Sequence, residues 1–557
     1  MTRQSLLLPL LFLLTAAALP AQPTTNVPAG APRLERRGQV LQMVVDGKPF
    51  LMLAGELNNS SSSSLRYMQP EWAQLAALGL NTVLTPVSWE LVEPEEGRYD
   101  FTLVDGLLQQ ARREHLHLVL LWLAAWKNGM SSYPPVWVKQ DPARFPRVML
   151  NGAVVEVLSP MAPATAEADG RALAALTAHL KTTDTEHTVL MLQVENEVGI
   201  LGASRDHSPA AERAFAGPVP AELLRHLAAH RGMLNAELRA LWEGNGARTS
   251  GTWTEVFGDP ADTTRADEIF MAWQYARYVQ TVAARAKGAY ALPLYVNAWL
   301  GNEKEKPGDF PSGGPKPRVM DVWKAAGSSM DLYSPDLYSP DVRGWCALYH
   351  RPENALFIPE TNGGAQAAAN VFFAVGEHAA LGFSPFAIDA GLHAEAADAA
   401  AGNLPSMEAM VRGRAELSTS YKLLAAMMPE LLAAEEKGEI HGFVLDKTHS
   451  SFDFAMGDLI AHVSLDEIFG NRAQSGYGLI LATGPNAFLG AGKGFRVSFT
   501  AGGGTQVGLA SVEEGTYEEG KWTPGRRLNG DEDDQGRAWR FDQRGAKAEK
   551  VVLYRTK

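Results

Sequence analysis

Val189-Leu-Met-Leu-Gln-Val-Glu-Asn-Glu-Val-Gly199 is the stretch on which the reading of the fold turns. A mostly apolar run, Val189 to Val194, leads without a break into Glu195, Asn196 and Glu197. Such a run fits a strand buried on both faces of a parallel sheet. Working outward, similar runs recur at Phe50–Leu53, Thr82–Val87, Leu116–Leu123, Leu294–Trp299, Met330–Tyr333, Leu356–Ile358 and Phe383–Ile388. Amphipathic helical stretches lie between them, among them Glu71–Leu78, Leu103–Arg113, Arg171–Leu180 and Ala266–Ala286. Eight strands alternating with helices predict a (β/α)8 TIM barrel. No Gly-x-Gly-x-x-Gly follows the first strand, which removes the main support for a dinucleotide fold.

The barrel is expected over residues 22–437, with an insertion at about 200–266 that carries a helix at Pro220–Trp242. An insertion of this size belongs either to the functional rim or to tolerated surface. Helical periodicity ends with Leu423–Glu436. Residues 438–557 then read as an all-β accessory domain, with strands at His441–Val444, Tyr477–Leu481, Phe495–Thr500, Val507–Ala510, Ala538–Phe541 and Val551–Tyr554. The Asp-rich run Asn529–Gly536 lacks the spacing of a calcium loop and reads as an exposed turn.

Residues 1–21 read as a signal peptide: Arg3, an apolar run from Leu6 to Leu14, then small residues up to Ala21. The expectation is a periplasmic or secreted chain with no membrane span, since the apolar run falls short of about 20 residues. At 46% apolar and 20% charged, the 557 residues have an ordinary globular composition. A formal charge of −13 argues against a nucleic-acid partner, which would need a basic face. Cys346 is the single cysteine, so neither an intrachain disulfide nor a thiolate zinc cluster is possible. The histidines show no metal-binding spacing, and neither metal nor cofactor is expected.

Carboxylates that directly follow barrel strands face the site where the loops converge. Two on opposite strands are what cleavage of a glycosidic bond requires, one to protonate the leaving oxygen and one to attack carbon or activate water. Glu360 in Ile358-Pro-Glu-Thr-Asn362 ends the seventh strand, and the fourth ends in Glu195 and Glu197. By alternation those two point the same way, so periodicity leaves both open.

A motif resemblance separates them. Gln193-Val-Glu-Asn-Glu-Val-Gly199 resembles the Gln-Val-Glu-Asn-Glu-Tyr-Gly signature of glycoside hydrolase family 35, the β-galactosidases. Trp89-Glu-Leu-Val-Glu-Pro-Glu-Glu-Gly-Arg-Tyr-Asp-Phe101 is similar to the family's stretch after strand two. Leu123-Ala-Ala-Trp-Lys-Asn-Gly129 with Pro134-Pro-Val-Trp137 is similar to its segment after strand three. The resemblance spans roughly residues 38 to 390. It implies a retaining exo-acting β-galactosidase with Glu197 as acid/base, Glu360 as nucleophile and Asn196 as donor to the sugar 2-hydroxyl.

The departures are specific. Glu90 and Val92 stand where the family has asparagine and histidine, Pro86 where it has tyrosine, and Ala125 where it has glutamate. The non-reducing-end pocket is therefore rebuilt. With the Val296-Asn-Ala-Trp299 segment and the extra β domain, the chain resembles a divergent bacterial branch associated with plant cell-wall oligosaccharides, including galactosylated xyloglucan side chains. Further candidates for contact with the oligosaccharide are Glu56, Trp126, Lys127, Asn128, Trp299 and Tyr338, while Glu195, Glu93 and Trp89 read as structural. Two alternatives stay open: another barrel β-glycosidase, of family 42 type or for a different β-sugar, and an inactive carbohydrate-binding barrel.

Overall fold

The computed structural model describes residues 30–302, 304–390, 404–468, 470–518 and 520–556, so the expected signal peptide at 1–21 lies outside the described residues. Eight parallel strands form the central sheet: β1 (Met52–Glu56), β2 (Thr82–Ser88), β3 (His117–Lys127), β4 (Val189–Asn196), β5 (Leu294–Trp299), β6 (Leu332–Leu337), β7 (Glu360–Thr361) and β8 (Gly382–Phe383). Their order is β7-β6-β5-β4-β3-β2-β1-β8, and a bridge between Ile358 and Phe383 joins the two ends into a closed barrel. The helices between and after them are α1 (Glu71–Ala77), α2 (Thr102–Arg113), α3 (Pro163–Thr183), α4 (Thr264–Ala289), α5 (Met320–Ala325), α6 (Val342–Tyr349), α7 (Ala365–His378) and α8 (Leu404–Ala426). The predicted (β/α)8 barrel is the observed one.

Alternation along the strands makes two cores. Met52, Ala54, Leu84, Val119, Leu121, Tyr295, Leu332 and Phe357 pack inside the barrel. Residues of the opposite parity, such as Leu53, Val83, Leu118, Leu120 and Leu192, pack with the surrounding helices. A three-stranded antiparallel sheet, Arg33–Arg37, Val40–Val45 and Lys48–Phe50, precedes β1. Its Met43 and Val45 join the interior core and plug the barrel. Sequence periodicity does not reveal this sheet of short strands and starts β1 at Phe50, two residues early.

The insertion forms four short helices, Pro209–Ala216, Ala221–Ala229, Ala236–Gly244 and Trp253–Phe257, packed on α4 and α5. The single helix expected over Pro220–Trp242 is two. The first ends at His230, and Asn235 caps the next, its side chain accepting from the backbone of Glu237 and Leu238.

After the helix α9 (Met428–Lys437) the chain is all β among the described residues. A six-stranded antiparallel sheet and a four-stranded one enclose Phe443, Leu459, Val463, Phe495, Trp539 and Phe541. The strands at Ser451–Met456, Leu459–Leu465, Ala487–Lys493 and Lys521–Leu528 add to those read from the sequence. The outer face of the larger sheet lies on α7, where Gly376 and Gly442 meet backbone to backbone. A Cβ on Gly442 would sit 2.2 Å from the Phe372 carbonyl oxygen, and one on Gly376 would sit 2.7 Å from the Gly442 Cα.

Candidate active site

The site is built at the C-terminal ends of β3 to β7, and its geometry begins with an irregularity in β3. Trp122 pairs with Val194 but Lys127 pairs with Asn196, so five steps along β3 face two along β4. The surplus residues bulge outward. Their freed N–H groups need acceptors, since a buried unpaired amide is costly. Glu195 supplies them: its carboxyl accepts from Ala125 N–H at 3.1 Å and Trp126 N–H at 2.7 Å. Behind it stands Asp169 of α3, which accepts from Trp122 Nε1 at 2.8 Å and the Tyr278 hydroxyl at 2.9 Å. Burial and the nearness of Asp169 push the Glu195 carboxyl well above its ordinary range.

Glu195 reaches this position because its backbone turns left-handed, with φ 63°, and Glu197 does the same at φ 45°. Alternation predicts both on one face, and these two turns overrule it. Asn196 and Glu197 enter the pocket while Glu195 braces the bulge. Non-glycine residues in this region of backbone space concentrate at functional sites.

The sequence candidates on β3, β4, β6 and β7 come together. Glu360 accepts from Asn196 Nδ2 at 3.1 Å, and from the Tyr338 hydroxyl at 2.9 Å on its other oxygen. Asn196 Oδ1 in turn accepts from Lys127 Nζ at 2.9 Å. Asn128 Nδ2 donates to Glu197 at 2.5 Å. Carboxyl oxygens of Glu197, Asp336 and Glu360 lie within 4.8 Å of one another. Those three could face one cation, but most of their oxygens already accept from Asn128, Asn196, Asn297 and Tyr338, which makes them a hydrogen-bonded acid cluster. Burial first, then the charge of Glu360, raises Glu197 to about 8, while Lys127 acts in the other direction.

Glu56 at the end of β1 is fully buried, and neither of its oxygens has a hydrogen-bond partner among the described residues. Burial and the charge of Glu360 raise its carboxyl well above the usual range. Trp299 and Tyr338 lie at the mouth, 38% and 40% exposed, with ring surface open to a ligand. Trp126 does not join them. The bulge turns it toward the helices, where it is fully buried, edge-on to Tyr275 and Tyr278 of α4, with Nε1 donating to the Leu158 carbonyl at 3.0 Å. No face is left for a sugar, so its expected place among the substrate contacts is corrected to a structural one. Glu93 and Trp89 bond each other at 2.8 Å and are buried.

Two residues of the site escaped the sequence reading. Asn297 on β5 accepts from the Glu197 N–H at 3.0 Å, which fixes its amide orientation, and its Nδ2 donates to Asp336 at 2.8 Å and Glu360 at 3.3 Å. Asp336 is the next-to-last residue of β6 and is 1% exposed. A carboxylate at a strand end was its available signal.

Residues 62–271 match the family 42 glycoside hydrolase model, described as beta-galactosidase. Residues 417–540 match a domain of unknown function (DUF5597). Among curated proteins, a beta-galactosidase of Xanthomonas manihotis is 35% identical over 131 residues, 22% of this chain and 21% of that protein. An exo-beta-D-glucosaminidase of Pyrococcus horikoshii is 30% identical over 99 residues, 14% of this chain and 13% of that protein. The chain thus spans about a fifth or less of the length of these relatives. Among solved structures, the beta-galactosidase from Bacillus circulans sp. alkalophilus has a TM-score of 0.46 at 16% identity, covering 69% of this chain and 57% of that one. That from Marinomonas ef1 has a TM-score of 0.42 at 16% identity, covering 70% and 60%. The matched model is thus the family 42 beta-galactosidase one, where the motifs resemble family 35, and it covers the stretch that carries Lys127, Asn128, Asn196 and Glu197.

Proposed function

We propose that the chain is a retaining exo-β-galactosidase acting on terminal β-galactosyl residues of plant cell-wall oligosaccharides, xyloglucan side chains among them. Glu360 is the nucleophile and Glu197 the acid/base. The observation that carries this reading is the spacing of carboxyl oxygens within 4.8 Å across the pocket. Retaining enzymes keep the two groups about 5–5.5 Å apart, whereas inverting ones leave about 6.5–9.5 Å for a water.

In the first step a Glu360 oxygen bonds to the anomeric carbon as the glycosidic C–O bond breaks, and the Glu197 proton passes to the leaving oxygen. Water then attacks the same carbon, Glu197 takes its proton, and the bond to Glu360 breaks. A Glu197 carboxyl raised to about 8 keeps its proton at neutral pH while Glu360 is charged. Three hydrogen bonds on Glu360 suit a group that must stay ionised until it attacks. Export is part of this reading and rests on residues 1–21.

A second substrate reading, a different β-sugar such as a glucosaminide, draws on the similarity to an exo-beta-D-glucosaminidase and on the extra acids Glu56 and Asp336 in the pocket. The test is hydrolysis of aryl β-galactoside and aryl β-glucosaminide beside galactosylated xyloglucan oligosaccharides. Glu360→Ala is expected to lose turnover by several orders of magnitude and to regain part of it with added azide. Unchanged turnover in that variant overturns the assignment, and release of amino sugar alone selects the second reading.

A further inference from the structure

We propose that Asp336 is a positioning residue for Glu197: a carboxyl held in its acid form that donates a hydrogen bond to Glu197 whenever Glu197 is ionised. The inference rests on the reading of Glu197 as acid/base and adds a third carboxyl to the machinery. Its basis is the way Asn297 dictates which oxygen of Asp336 bears the proton.

The Glu197 backbone N–H donates to Asn297 Oδ1, so the Asn297 amide can present only N–H to its other neighbours. One N–H contact goes to Asp336 Oδ2 at 2.8 Å and commits that oxygen to accepting. Asp336 Oδ1 is buried and receives no N–H or O–H from any described residue. Asp336 and Glu197 share a side-chain hydrogen bond, and the Glu197 carboxyl has no proton to offer in it once ionised. Two carboxyl groups in contact at a buried position form a hydrogen bond only with a proton between them, and without one they repel. The arrangement closes if Asp336 carries the proton on Oδ1.

The surroundings favour the acid form. Glu197, Glu360 and Glu56 are the acids that act on Asp336. The hydroxyls of Tyr295, Tyr338 and Tyr349 line the same region, and Lys127, the cation beside Glu56 and Glu197, is engaged by Asn196. Burial and the charge of Glu360 hold the Asp336 carboxyl well above the usual carboxylate range. In the cycle, Glu197 becomes an anion when its proton leaves with the departing oxygen. The Asp336 O–H then points at it, keeps it in place for the incoming water, and stays on Asp336 throughout.

The test uses two variants of the full chain and pH profiles of kcat/KM on an aryl β-galactoside. Asp336→Asn preserves both contacts, accepting from Asn297 through its oxygen and donating to Glu197 through its NH2. It is expected to stay within about tenfold of the parent, with the alkaline limb unmoved. Asp336→Ala removes the donor. It is expected to lose about 100-fold in kcat, with the alkaline limb moved to higher pH because the Glu197 anion has lost a hydrogen bond. If Asp336 instead acted as an anion, Asp336→Asn would move the alkaline limb down by a unit or more, and that result overturns the proposal. An alanine variant with the parent's profile also overturns it.

Infrared difference spectroscopy of parent against Asp336→Asn at neutral pH supplies a readout free of turnover and independent of how the alanine variant folds. Loss of one protonated-carboxyl C=O band supports the proposal, and loss of a carboxylate band overturns it. Absence of any glycoside hydrolysis with the protonated band present refutes the acid/base reading and leaves the Asp336 protonation standing.

Discussion

Between Gln193 and Val198 the backbone at the end of β4 twice enters the left-handed region, at Glu195 within the strand and at Glu197 just past it, and each turn sends a carboxyl somewhere the pleat would not. Glu195 closes the bulge of β3 from behind, and that bulge carries Lys127 and Asn128 into the pocket. Glu195→Gln puts an NH2 where one of two backbone N–H groups now finds an acceptor. The expected cost is about 1–3 kcal/mol of stability, read from denaturant unfolding. A fall in kcat of about 10–100-fold should follow from the shifted Lys127 and Asn128. A variant with parental kcat and stability would contradict the bracing role. Sequence periodicity placed Glu195, Glu197 and Glu360 at strand ends but could not separate the first two, because the period-two rule assumes extended φ throughout. Asp336 carries that strand-end signal but falls beyond the strand expected from the sequence. Pro335 directly precedes it, and proline in a run argues against a central strand, so the expected strand stopped at Tyr333. The observed β6 keeps Pro335 inside its ladder, opposite Ala298.

At the scale of elements, α7 decides how the barrel and the β-sheet sandwich meet. Its face toward the sheet carries Gly376 against Gly442, and the helix lies on the strand with no side chain between. Gly442→Ala drives a methyl into the Phe372 carbonyl, so backbone must move. We expect destabilisation of about 1–3 kcal/mol and faster proteolytic cleavage around residues 438–440, with the barrel itself still folded. An alanine variant as stable and as resistant as the parent would show that the contact is slack. The existence of a β region after Gly438 was legible from its turn residues and short alternating runs. Ser451–Met456 and Ala487–Lys493 were not, since glycine, alanine and exposed aspartate blur their alternation.

At the scale of the molecule, Glu435 of α9 is buried against Gln42 of the N-terminal sheet, with Gln42 Nε2 donating at 3.3 Å. Burial raises this carboxyl from 4.5 to about 8. The folded chain therefore keeps a proton there that the unfolded chain releases near 4.5. This group leaves stability undiminished below about 4.5 and lowers it as pH rises toward about 8. Glu197, raised to about 8 by burial and Glu360, adds to the same slope. Relative to Glu435→Gln, the parent's thermal midpoint should fall as pH rises from 5 to about 8. A difference between the two that stays constant over this range would refute the account.

The barrel's ladder is thinnest where its chemistry is concentrated. β7 and β8 contribute two residues each, and one bridge at Ile358 and Phe383 joins them. Side chains do what the short ladder cannot. The Tyr421 hydroxyl ties the carbonyls of Ala54 and Phe383 together at 2.8 Å each, Thr361 Oγ1 holds the Leu337 carbonyl, and Asn196, Asn297 and Tyr338 converge on Glu360. On this side of the molecule, folding and reactivity are encoded in the same atoms. From β1 to β3 longer backbone ladders secure the architecture without such help. Around Glu360 any change of sequence must answer to both demands at once.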